Sequence, residues 1–288
     1  GSLVNQLKIT SMKNLKTPLR YPGGKSRAIT KISEFFPDLS KYDQFREPFV
    51  GGGSVSLWVT KTYPDLLIWV NDLYEPLYNF WTQLQTSGSE MQDILSNIKK
   101  ENPDPDKAKE LFLECKNQVS TGDNLDRAVA FYIINKCSFS GLGENSSFSA
   151  QASDSNFSMN GIEKLSGYQD LIKHWKITNL SYEHMLDGKG SFIYLDPPYE
   201  IGSNLYGKKG GMQKYFHHTR FSEACTASNH DMVVSYNSSN LNKRRFADWK
   251  AAEYDHTYTM RSTGDYIKEQ KKRKELVLTN YENISTIH

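Results

Sequence analysis

Short apolar runs and longer periodic stretches follow one another along the 288 residues of this chain. Residues 66–70 and 191–195 are short runs rich in aliphatic and aromatic side chains, so each predicts a strand, and residues 42–46 predict a third. A helix is predicted over residues 54–60, between the first two strands in the chain. Because the run at 191–195 is apolar almost throughout, it favours a buried strand of a parallel sheet.

The middle of the chain changes to helical spacing. A Pro/Asp-rich break at 102–106 ends the first helical stretch, and residues 138–161 are rich in Ser, Gly, Asn and Phe, which is typical of a loop. The phenylalanines within that loop argue against disorder. Apolar residues recur at helical intervals over residues 75–98, 107–119 and 126–134.

Composition sets only broad limits on the class of protein. Aromatic residues make up 12% of the chain and supply ample core, while the formal net charge of +2 means that attraction to nucleic acid must come from local patches. Five of the seven residues at 268–274 are basic, which fits either a solvated hairpin or a phosphate contact. Cys115, Cys137 and Cys225 are widely spaced and indicate neither a disulfide framework nor a zinc site.

The sequence carries no signal for a membrane. No apolar stretch approaches the length of a membrane helix, and the first residues lack the apolar core of a signal peptide. We therefore expect a soluble protein of the reducing cytosol. Gly1-Ser2 is typical of a tag-removal scar, so residues 1–11 are interpreted as a tag remnant or non-core extension.

A cluster of hydrogen-bond acceptors follows the predicted strand at 191–195. Asp196 leaves the strand, and Pro197 and Pro198 prevent the ladder from continuing because proline lacks an N–H. The Asp196 carboxylate and the Pro197 carbonyl can accept both protons of a planar amino group, and Tyr199 offers a face for the ring that bears it. The same residues also suit a turn that only ends a strand.

A glycine turn lies between the first predicted strand and its helix. The glycines at 51–53 let the backbone approach a ligand closely, and the start of the helix supplies unpaired amides. About twenty residues further along, the strand at 66–70 ends in Asn71-Asp72, where an acidic residue can bind the two hydroxyls of a ribose. The turn departs from the G-x-G-x-x-G pattern, which disfavours a nicotinamide cofactor.

Four short blocks stand in one order along the chain: PLRYPGGK (18–25), EPFVGGGSV (47–55), ND (71–72) and DPPY (196–199). In this order they resemble the Dam-type DNA adenine-N6 methyltransferases, which use S-adenosylmethionine. Each block is short, but their joint order is very specific. Weaker similarity at 135–142, 235–237 and 275–280 extends the resemblance over residues 13–281.

The resemblance implies an α/β fold: a Rossmann-like S-adenosylmethionine-dependent methyltransferase sheet with an inserted, mostly helical target-recognition domain. We expect the catalytic domain at 13–75 and 166–288 and the recognition domain at 76–165, with a return to the sheet near Ile177. The ligand cleft would then lie at the carboxyl edge of the strands.

The implied reaction is methyl transfer to the exocyclic N6 of an adenine flipped out of DNA. It requires no metal, and His217 and His218 are adjacent, so in a strand they would face opposite ways and form no ligand pair. The implied catalytic residues are Asp196, Pro197, Pro198 and Tyr199. The implied cofactor-binding residues are Tyr21, Gly24, Lys25, Phe49, Val50, Gly51, Gly53, Asp72 and Asp196.

The implied DNA contacts lie at the end of the predicted helix over residues 126–134 and in the loop after it. Where relatives that methylate GATC carry an arginine that reads guanine, this chain has Glu144. A carboxylate only accepts hydrogen bonds and suits a cytosine amino group, so GATC specificity is in doubt, unless the match slips in the loop and Lys136 or another residue reads the base. The full set is Asn135, Lys136, Phe139, Ser140, Gly141, Leu142 and Glu144.

Other functions fit parts of the pattern. Methyltransferases that act on RNA or on a protein glutamine also need hydrogen-bond acceptors at this position, because both substrates present a planar amino group. The Tyr-Pro-Gly-Gly-Lys block is not expected in them. A catalytically silent DNA-binding module would tolerate loss of Asp196 or Asp72, and both are present. We expect double-stranded DNA as the partner, a cognate restriction endonuclease as a candidate second partner, and a cytoplasmic monomer or weak dimer in a bacterial cell or phage-infected host.

Overall fold

The computed structural model describes Leu3 and residues 15–21, 25, 28–140, 146–198, 216–260 and 269–282. The chain divides into two compact units. The first unit comprises Gly1–Arg27 and Val50–Ser181, and the second comprises Ala28–Phe49 and Tyr182–His288.

Helices and strands alternate at the two ends of the chain, and helices dominate its middle. The α-helices of the described ranges are α1 (Ile29–Ser33), α2 (Ser54–Thr62), α3 (Glu75–Glu101), α4 (Pro105–Gln118), α5 (Asn124–Cys137), α6 (Ala150–Asn156), α7 (Met159–Ile162), α8 (Leu165–Leu171), α9 (His218–Ala227) and α10 (Asn240–Arg245). The strands are β1 (Gln44–Glu47), β2 (Leu67–Asn71), β3 (Lys176–Thr178), β4 (Lys189–Leu195), β5 (Asn229–Asn237), β6 (Lys250–Met260) and β7 (Glu269–Thr279).

The first unit joins a parallel strand pair to a set of helices. Strands β2 and β3 pair with Val70 opposite Ile177, so the expected return to a strand near Ile177 is confirmed. Helix α3 packs against α5 and α8 and buries Phe80 and Trp81 completely. Proline at the first turn of α4 and the side chain of Asp104, which accepts from Lys107 N, explain why a helix starts after the Pro/Asp-rich break. The boundaries 76–165 of a separate recognition domain stay a prediction.

The Ser-rich stretch at 138–161 is only partly the loop that its composition predicts. It contains α6 and α7, and the side chains of Ser149 and Ser158 cap them by accepting from Ala152 N and Gly161 N. The prediction of a loop was wrong for these helices because serine favours caps as well as turns. Phe157 is completely buried, as expected of an ordered segment.

The second unit contains a mixed sheet with the strand order β1-β4-β5-β7-β6. Strands β1, β4 and β5 run parallel, while β7 pairs antiparallel with both β5 and β6. The predicted buried strand at 191–195 is confirmed, since it forms most of β4 and each of its residues is buried. The backbone of residues 269–274 belongs to the antiparallel pair β6 and β7, which agrees with the hairpin interpretation of the basic run.

Both faces of β4 pack against apolar groups. Phe192 contacts Phe36 and Phe45 on one face, with ring centroids 5.2 and 6.3 Å apart. Ile193 and Leu195 belong to a buried cluster on the other face that includes Phe221 of α9. Because both faces of β4 are covered, its buried side chains cannot contact a ligand. Asp196, the residue directly after the strand, is partly exposed and can do so.

Candidate active site

The glycine turn of the first unit is fixed by a tryptophan. Gly51 and Gly53 have φ angles of +50° and +80°, which favour glycine. A Cβ atom on Gly53 would lie 2.6 Å from ring atoms of Trp81. The indole N–H of Trp81 donates to Gly51 O over 3.0 Å, and Gly53 N donates to Val50 O over 2.9 Å. The turn therefore has no room for a side chain at Gly53.

The amino-terminal block packs onto this turn. A Cβ on Gly51 would lie 3.0 Å from the ring of Tyr21, and the hydroxyl of Thr17 donates to Gly52 O over 2.5 Å. Lys25 is 6% exposed, which is unusual for a lysine. The structure thus brings Tyr21 to the glycine turn, as the block order predicted, whereas Gly24 lies outside the described residues.

Asp72 is a buried carboxylate tied to the same turn. Its Oδ2 accepts from Gly51 N over 3.2 Å and its Oδ1 accepts from Tyr74 N over 3.0 Å. Burial raises the pKa of Asp72 to about 6, and the hydrogen bonds from the Tyr74 and Gly51 amides partly offset that rise. A carboxylate held at this cost in free energy is a functional-site candidate.

The last residue of β3 and the two residues after it hold the chain at Asn71 and Asp72. Asn71 Oδ1 accepts from Leu180 N over 2.8 Å and from the Thr178 hydroxyl over 2.7 Å, and Asn179 Nδ2 donates to Asp72 O over 2.8 Å. Sequence reasoning missed Thr178, Asn179 and Leu180. The only available signal was the Asn before Asp72, because its partners are more than a hundred positions away in sequence.

Asp196, Pro197 and Pro198, which we call the acceptor corner, follow β4 in the second unit. Asp196 is partly exposed, Pro197 is buried and Pro198 is partly exposed, while Tyr199 lies outside the described part of the chain. The buried Tyr194 hydroxyl shares a 2.8 Å hydrogen bond with Ser235 Oγ of β5. Burial and then the charge of Asp196 raise the pKa of Tyr194 well above its usual value, so its hydroxyl stays protonated.

Further acceptors surround this corner. Glu47 at the end of β1 and Glu275 in β7 are 3% and 2% exposed. Glu275 pairs with Asn237 of β5 and with Tyr254 of β6. Burial, followed by the charges of Glu275 and Asp196, raises the pKa of the Tyr254 phenol. Sequence reasoning named none of Glu275, Tyr254 and Tyr194 as site residues. The arrangement suits a ligand that donates protons, such as an amino group.

Phe49 lies in an aromatic cluster of the second unit. Its ring centroid is 5.5 Å from that of Tyr182, 5.8 Å from that of Phe216 and 6.0 Å from that of Phe221. Phe216 precedes His217, the N-cap residue of α9, and His218 is the first residue of that helix. These two histidines lie at the start of a helix, so the argument that adjacent residues of a strand face opposite ways does not apply to them.

Asn135 at the end of α5 binds the amino-terminal block. It is 1% exposed; its Oδ1 accepts from Arg20 N over 2.9 Å and its Nδ2 donates to Arg20 O over 2.6 Å. The Arg20 guanidinium in turn donates to Ser138 O over 2.8 Å. The structure thus gives Asn135 a positioning role for residues 15–21, and its contact with DNA stays a prediction.

The remaining predicted DNA contacts differ in exposure. Lys136 is partly buried, with its Nζ 5.3 Å from the centre of the Tyr132 ring. Burial, followed by the charges of Arg20 and Lys164, lowers the pKa of Lys136 to about 8. Phe139 is 36% exposed and Ser140 is exposed. Gly141, Leu142 and Glu144 lie outside the described residues.

Neither a metal site nor a membrane-spanning helix is present in the part of the chain that the structure describes. Across the described ranges, no three His, Cys, Asp or Glu side chains are grouped so that they could hold a metal ion. Within the same residues, no helix has both the length and the apolar character needed to cross a membrane.

Comparisons with known proteins agree on one chemistry. Residues 21–260 match the family model described as D12 class N6 adenine-specific DNA methyltransferase. The chain is 24% identical over 292 residues to the type II methyltransferase M1.LlaDCHI of Lactococcus lactis subsp. cremoris, with 94% of this chain and 97% of the relative covered. It is 26% identical over 205 residues to the type II methyltransferase M.MjaIII of Methanocaldococcus jannaschii, covering 65% of this chain and 70% of the relative.

A phage protein is a further relative. The DNA N-6-adenine-methyltransferase of Escherichia phage P1 is 26% identical over 196 residues, which cover 65% of this chain but 24% of the phage protein.

Proposed function

We propose that Asp196 and Pro197 hold an adenine that is flipped out of duplex DNA. The premise is that this chain belongs to the family of D12 class N6 adenine-specific DNA methyltransferases. Enzymes of this family use S-adenosylmethionine, which supplies an electrophilic methyl group. An adenine inside a duplex is stacked and paired, so its N6 cannot meet that methyl group until the base leaves the stack. Base flipping is therefore part of the proposal.

The acceptors of the corner orient the amino group. The Asp196 carboxylate and the Pro197 carbonyl each accept one N6 proton, which favours a pyramidal nitrogen and directs its lone pair away from the ring plane. Adenine N6 forms a bond to the methyl carbon as the carbon–sulfur bond breaks, and one N6 proton then leaves to Asp196 or to water. Tyr199 stacks on the extruded base in this proposal and recovers part of the cost of unstacking.

The residues of the first unit fit the cofactor. A carboxylate has about four lone-pair sites; the amides of Gly51 and Tyr74 bind one on each oxygen of Asp72, and the Leu73 amide also bonds to this carboxylate. The remaining acceptor capacity suits a ribose hydroxyl. Positive φ angles at Gly51 and Gly53 keep side chains out of the turn, so a ligand can approach the backbone. We assign the methionine end to Tyr21, Gly24 and Lys25, and other parts of the cofactor to Val50, Gly51, Gly53 and Asp72. For Phe49 and Asp196, which belong to the second unit, cofactor contact is proposed from the family resemblance alone.

The observation that carries the proposal is that Asp196 and Pro197 follow the buried residues 191–195 of β4 in a chain of this family. The test is methyl transfer from labelled S-adenosylmethionine to unmethylated duplex DNA, with the product nucleoside identified by mass spectrometry. We expect N6-methyladenine in DNA. Transfer to RNA or to a protein glutamine in preference to DNA would contradict the substrate, and cofactor binding without any transfer would indicate a silent module.

Cofactor affinity is expected to depend on the protonation of Asp72. The pKa of Asp72 is about 6 without ligand, so the carboxylate is ionised at pH 7.5 and largely protonated at pH 5. A protonated carboxyl loses acceptor sites for the ribose, and we therefore expect weaker binding as the pH falls through 6. Calorimetry with S-adenosylmethionine at both pH values measures this change.

Asp72→Asn is the matched control for that titration. Asparagine cannot ionise, so its cofactor affinity should be lower at pH 7.5 by about tenfold or more, as for a lost hydrogen bond to a charged group, and should lose the pH dependence near 6. Equal pH dependence in parent and variant would remove Asp72 from the ribose role.

The same carboxyl has a second consequence for stability. Its pKa is raised in the folded chain, so between pH 3.8 and about 6 the folded state holds its proton more tightly than the unfolded state does. This group therefore makes the ligand-free chain less stable as the pH rises through that window, and the penalty is complete above 6.

DNA recognition is proposed to involve the end of α5 and the loop after it. We propose that Asn135, Lys136, Phe139, Ser140, Gly141, Leu142 and Glu144 belong to this region. A carboxylate that faces guanine O6 and N7 sets acceptor against acceptor, so the parent should methylate GATC poorly and Glu144→Arg should favour a guanine at one position. Sequencing of the methylated motif for both proteins on one genomic DNA decides this, and identical motifs would contradict the role of Glu144.

A restriction endonuclease is the protein partner we propose. The names of two relatives describe type II methyltransferases, and methylation by this chain would then protect DNA from an endonuclease of the same specificity. The proposed assembly state is a monomer or weak dimer. Cleavage of plasmid DNA from cells with and without this chain, over a panel of endonucleases, tests the protection.

A further inference from the structure

A cavity of about 440 Å³ opens at the start of α9 in the second unit. This volume lies within the range of small-molecule sites, roughly 300–1,000 Å³. Four of its lining residues carry cationic or imidazole side chains, and among the described residues that line it none is acidic. The lining consists of Phe216, His217, His218, Thr219, Arg220 and Arg245.

Hydrogen bonds fix the orientation of the groups around the cavity. Arg245 Nη1 donates to Asn242 Oδ1 over 3.0 Å, and Asn242 is itself completely buried. Arg220 Nη2 donates to Glu183 Oε2 over 3.1 Å, while its side chain remains 66% exposed. One guanidinium is therefore anchored in the protein, and the other is held by a single ion pair that solvent reaches.

The start of α9 adds donors to the same place. His217 is the N-cap residue and makes no side-chain capping hydrogen bond, and Thr219 and Arg220 in the first turn line the cavity. First-turn amides and the helix dipole favour an anion. They act here together with two arginine side chains, which pair with phosphate in a bidentate way.

Hydrogen bonds join residues around the cavity to the carboxyl end of β5. His218 Nδ1 is hydrogen-bonded to the Tyr236 hydroxyl, and Asn242 Nδ2 donates to Asn237 O over 3.1 Å. Strand β5 pairs with β4, whose end precedes Asp196. Within the second unit, the cationic cavity and the acceptor corner thus belong to adjacent strand ends.

We infer that this cavity binds a phosphate of the DNA backbone and so supplies a second DNA contact, separate from the predicted region at 135–144. The inference rests on the proposed function, because DNA is the polyanion that this family modifies. An adenine that leaves the stack strains its own backbone, and a phosphate held by Arg220 and Arg245 close to the acceptor corner limits where the base can go. The near-neutral net charge of +2 makes such a local contact necessary for attraction.

The test is the salt dependence of duplex DNA binding for Arg220→Gln and Arg245→Gln. Each change should weaken binding about tenfold or more, uniformly over DNA sequences, and should lower the slope of log K against log salt concentration by about 1. The methylated motif and the dissociation constant for S-adenosylmethionine should stay unchanged. Arg220 is largely exposed, so its variant keeps the test valid if Arg245→Gln fails to fold.

Two further variants separate a phosphate contact from other causes. Glu183→Gln breaks the ion pair of Arg220 but keeps the arginine, so it should tighten DNA binding. Weakening by Glu183→Gln would show that the ion pair only supports the fold and would overturn the inference. Lys189→Gln removes one exposed charge at the opposite end of β4 and should behave like the parent. An equal loss in Lys189→Gln and Arg220→Gln would also overturn it, since binding would then follow net charge.

Failure of this inference can be told apart from failure of the proposed function. If the parent methylates DNA and both arginine variants bind DNA with the parental affinity and slope, the cavity has no phosphate contact and the methyltransferase assignment stands. If the parent neither binds nor methylates duplex DNA, both are overturned.

Discussion

Replacing Asp196 is expected to abolish methyl transfer while leaving a folded protein. Asp196→Asn keeps the size of the side chain but turns one acceptor into a donor that faces the amino protons of the base. We expect a fall in kcat of about 100-fold or more, comparable to the loss of one transition-state hydrogen bond in other enzymes. Asp196→Ala should be at least as impaired. Single-turnover methylation of duplex DNA measures the effect on chemistry apart from product release.

Two measurements identify what Asp196 does. Asp248→Asn removes an exposed carboxylate of the same unit and should leave kcat unchanged. The dissociation constant for S-adenosylmethionine tells whether Asp196 also contacts the cofactor: an unchanged value assigns the residue to the base alone, and a raised value supports both proposed roles. Near-parental turnover by Asp196→Asn and Asp196→Ala would remove this residue from the mechanism.

Gly53→Ala is expected to destabilise the first unit strongly. The residue has a φ of +80°, and an added Cβ would lie 2.6 Å from the Trp81 ring. Left-handed backbone costs about 1–2 kcal/mol for a residue with a Cβ, and overpacking costs about 1–3 kcal/mol more, so the free energy of unfolding should fall by about 2–5 kcal/mol. Chemical denaturation of the ligand-free protein measures the loss.

The chain offers a control that separates these two causes. Gly122 has a φ of +103°, but a Cβ there would meet only Asp126 Cβ at 3.8 Å, which is ordinary contact. Gly122→Ala should therefore show the backbone cost without the overpacking cost. If Gly53→Ala destabilises no more than Gly122→Ala, Trp81 does not confine the turn. Cofactor affinity should fall in Gly53→Ala and stay parental in Gly122→Ala.

Local patterns in the sequence were sufficient for the main elements that carry the site. The apolar run before Asp196 predicted the buried strand β4, because a strand that is covered on both faces has no polar positions. The glycines at 51–53 predicted the turn, and two of them, Gly51 and Gly53, have the positive φ angles that favour glycine. Apolar residues at helical intervals and the Pro/Asp-rich break predicted α3, α4 and α5 to within a few residues. The joint order of short blocks predicted the family that residues 21–260 match.

The tertiary structure alone decided which distant side chains support those elements. Asn135 carries an amide, and only folding shows that both of its amide atoms bind Arg20, 115 positions away. The Tyr194–Ser235 hydrogen bond and the burial of Glu275 depend on strand order, which no local pattern encodes. The start of α9 at His218 brings Arg220 to a cavity with Arg245, although neither position carries a motif. A sequence determines these contacts through long-range pairing, whose partners are set by the whole fold and not by spacing along the chain.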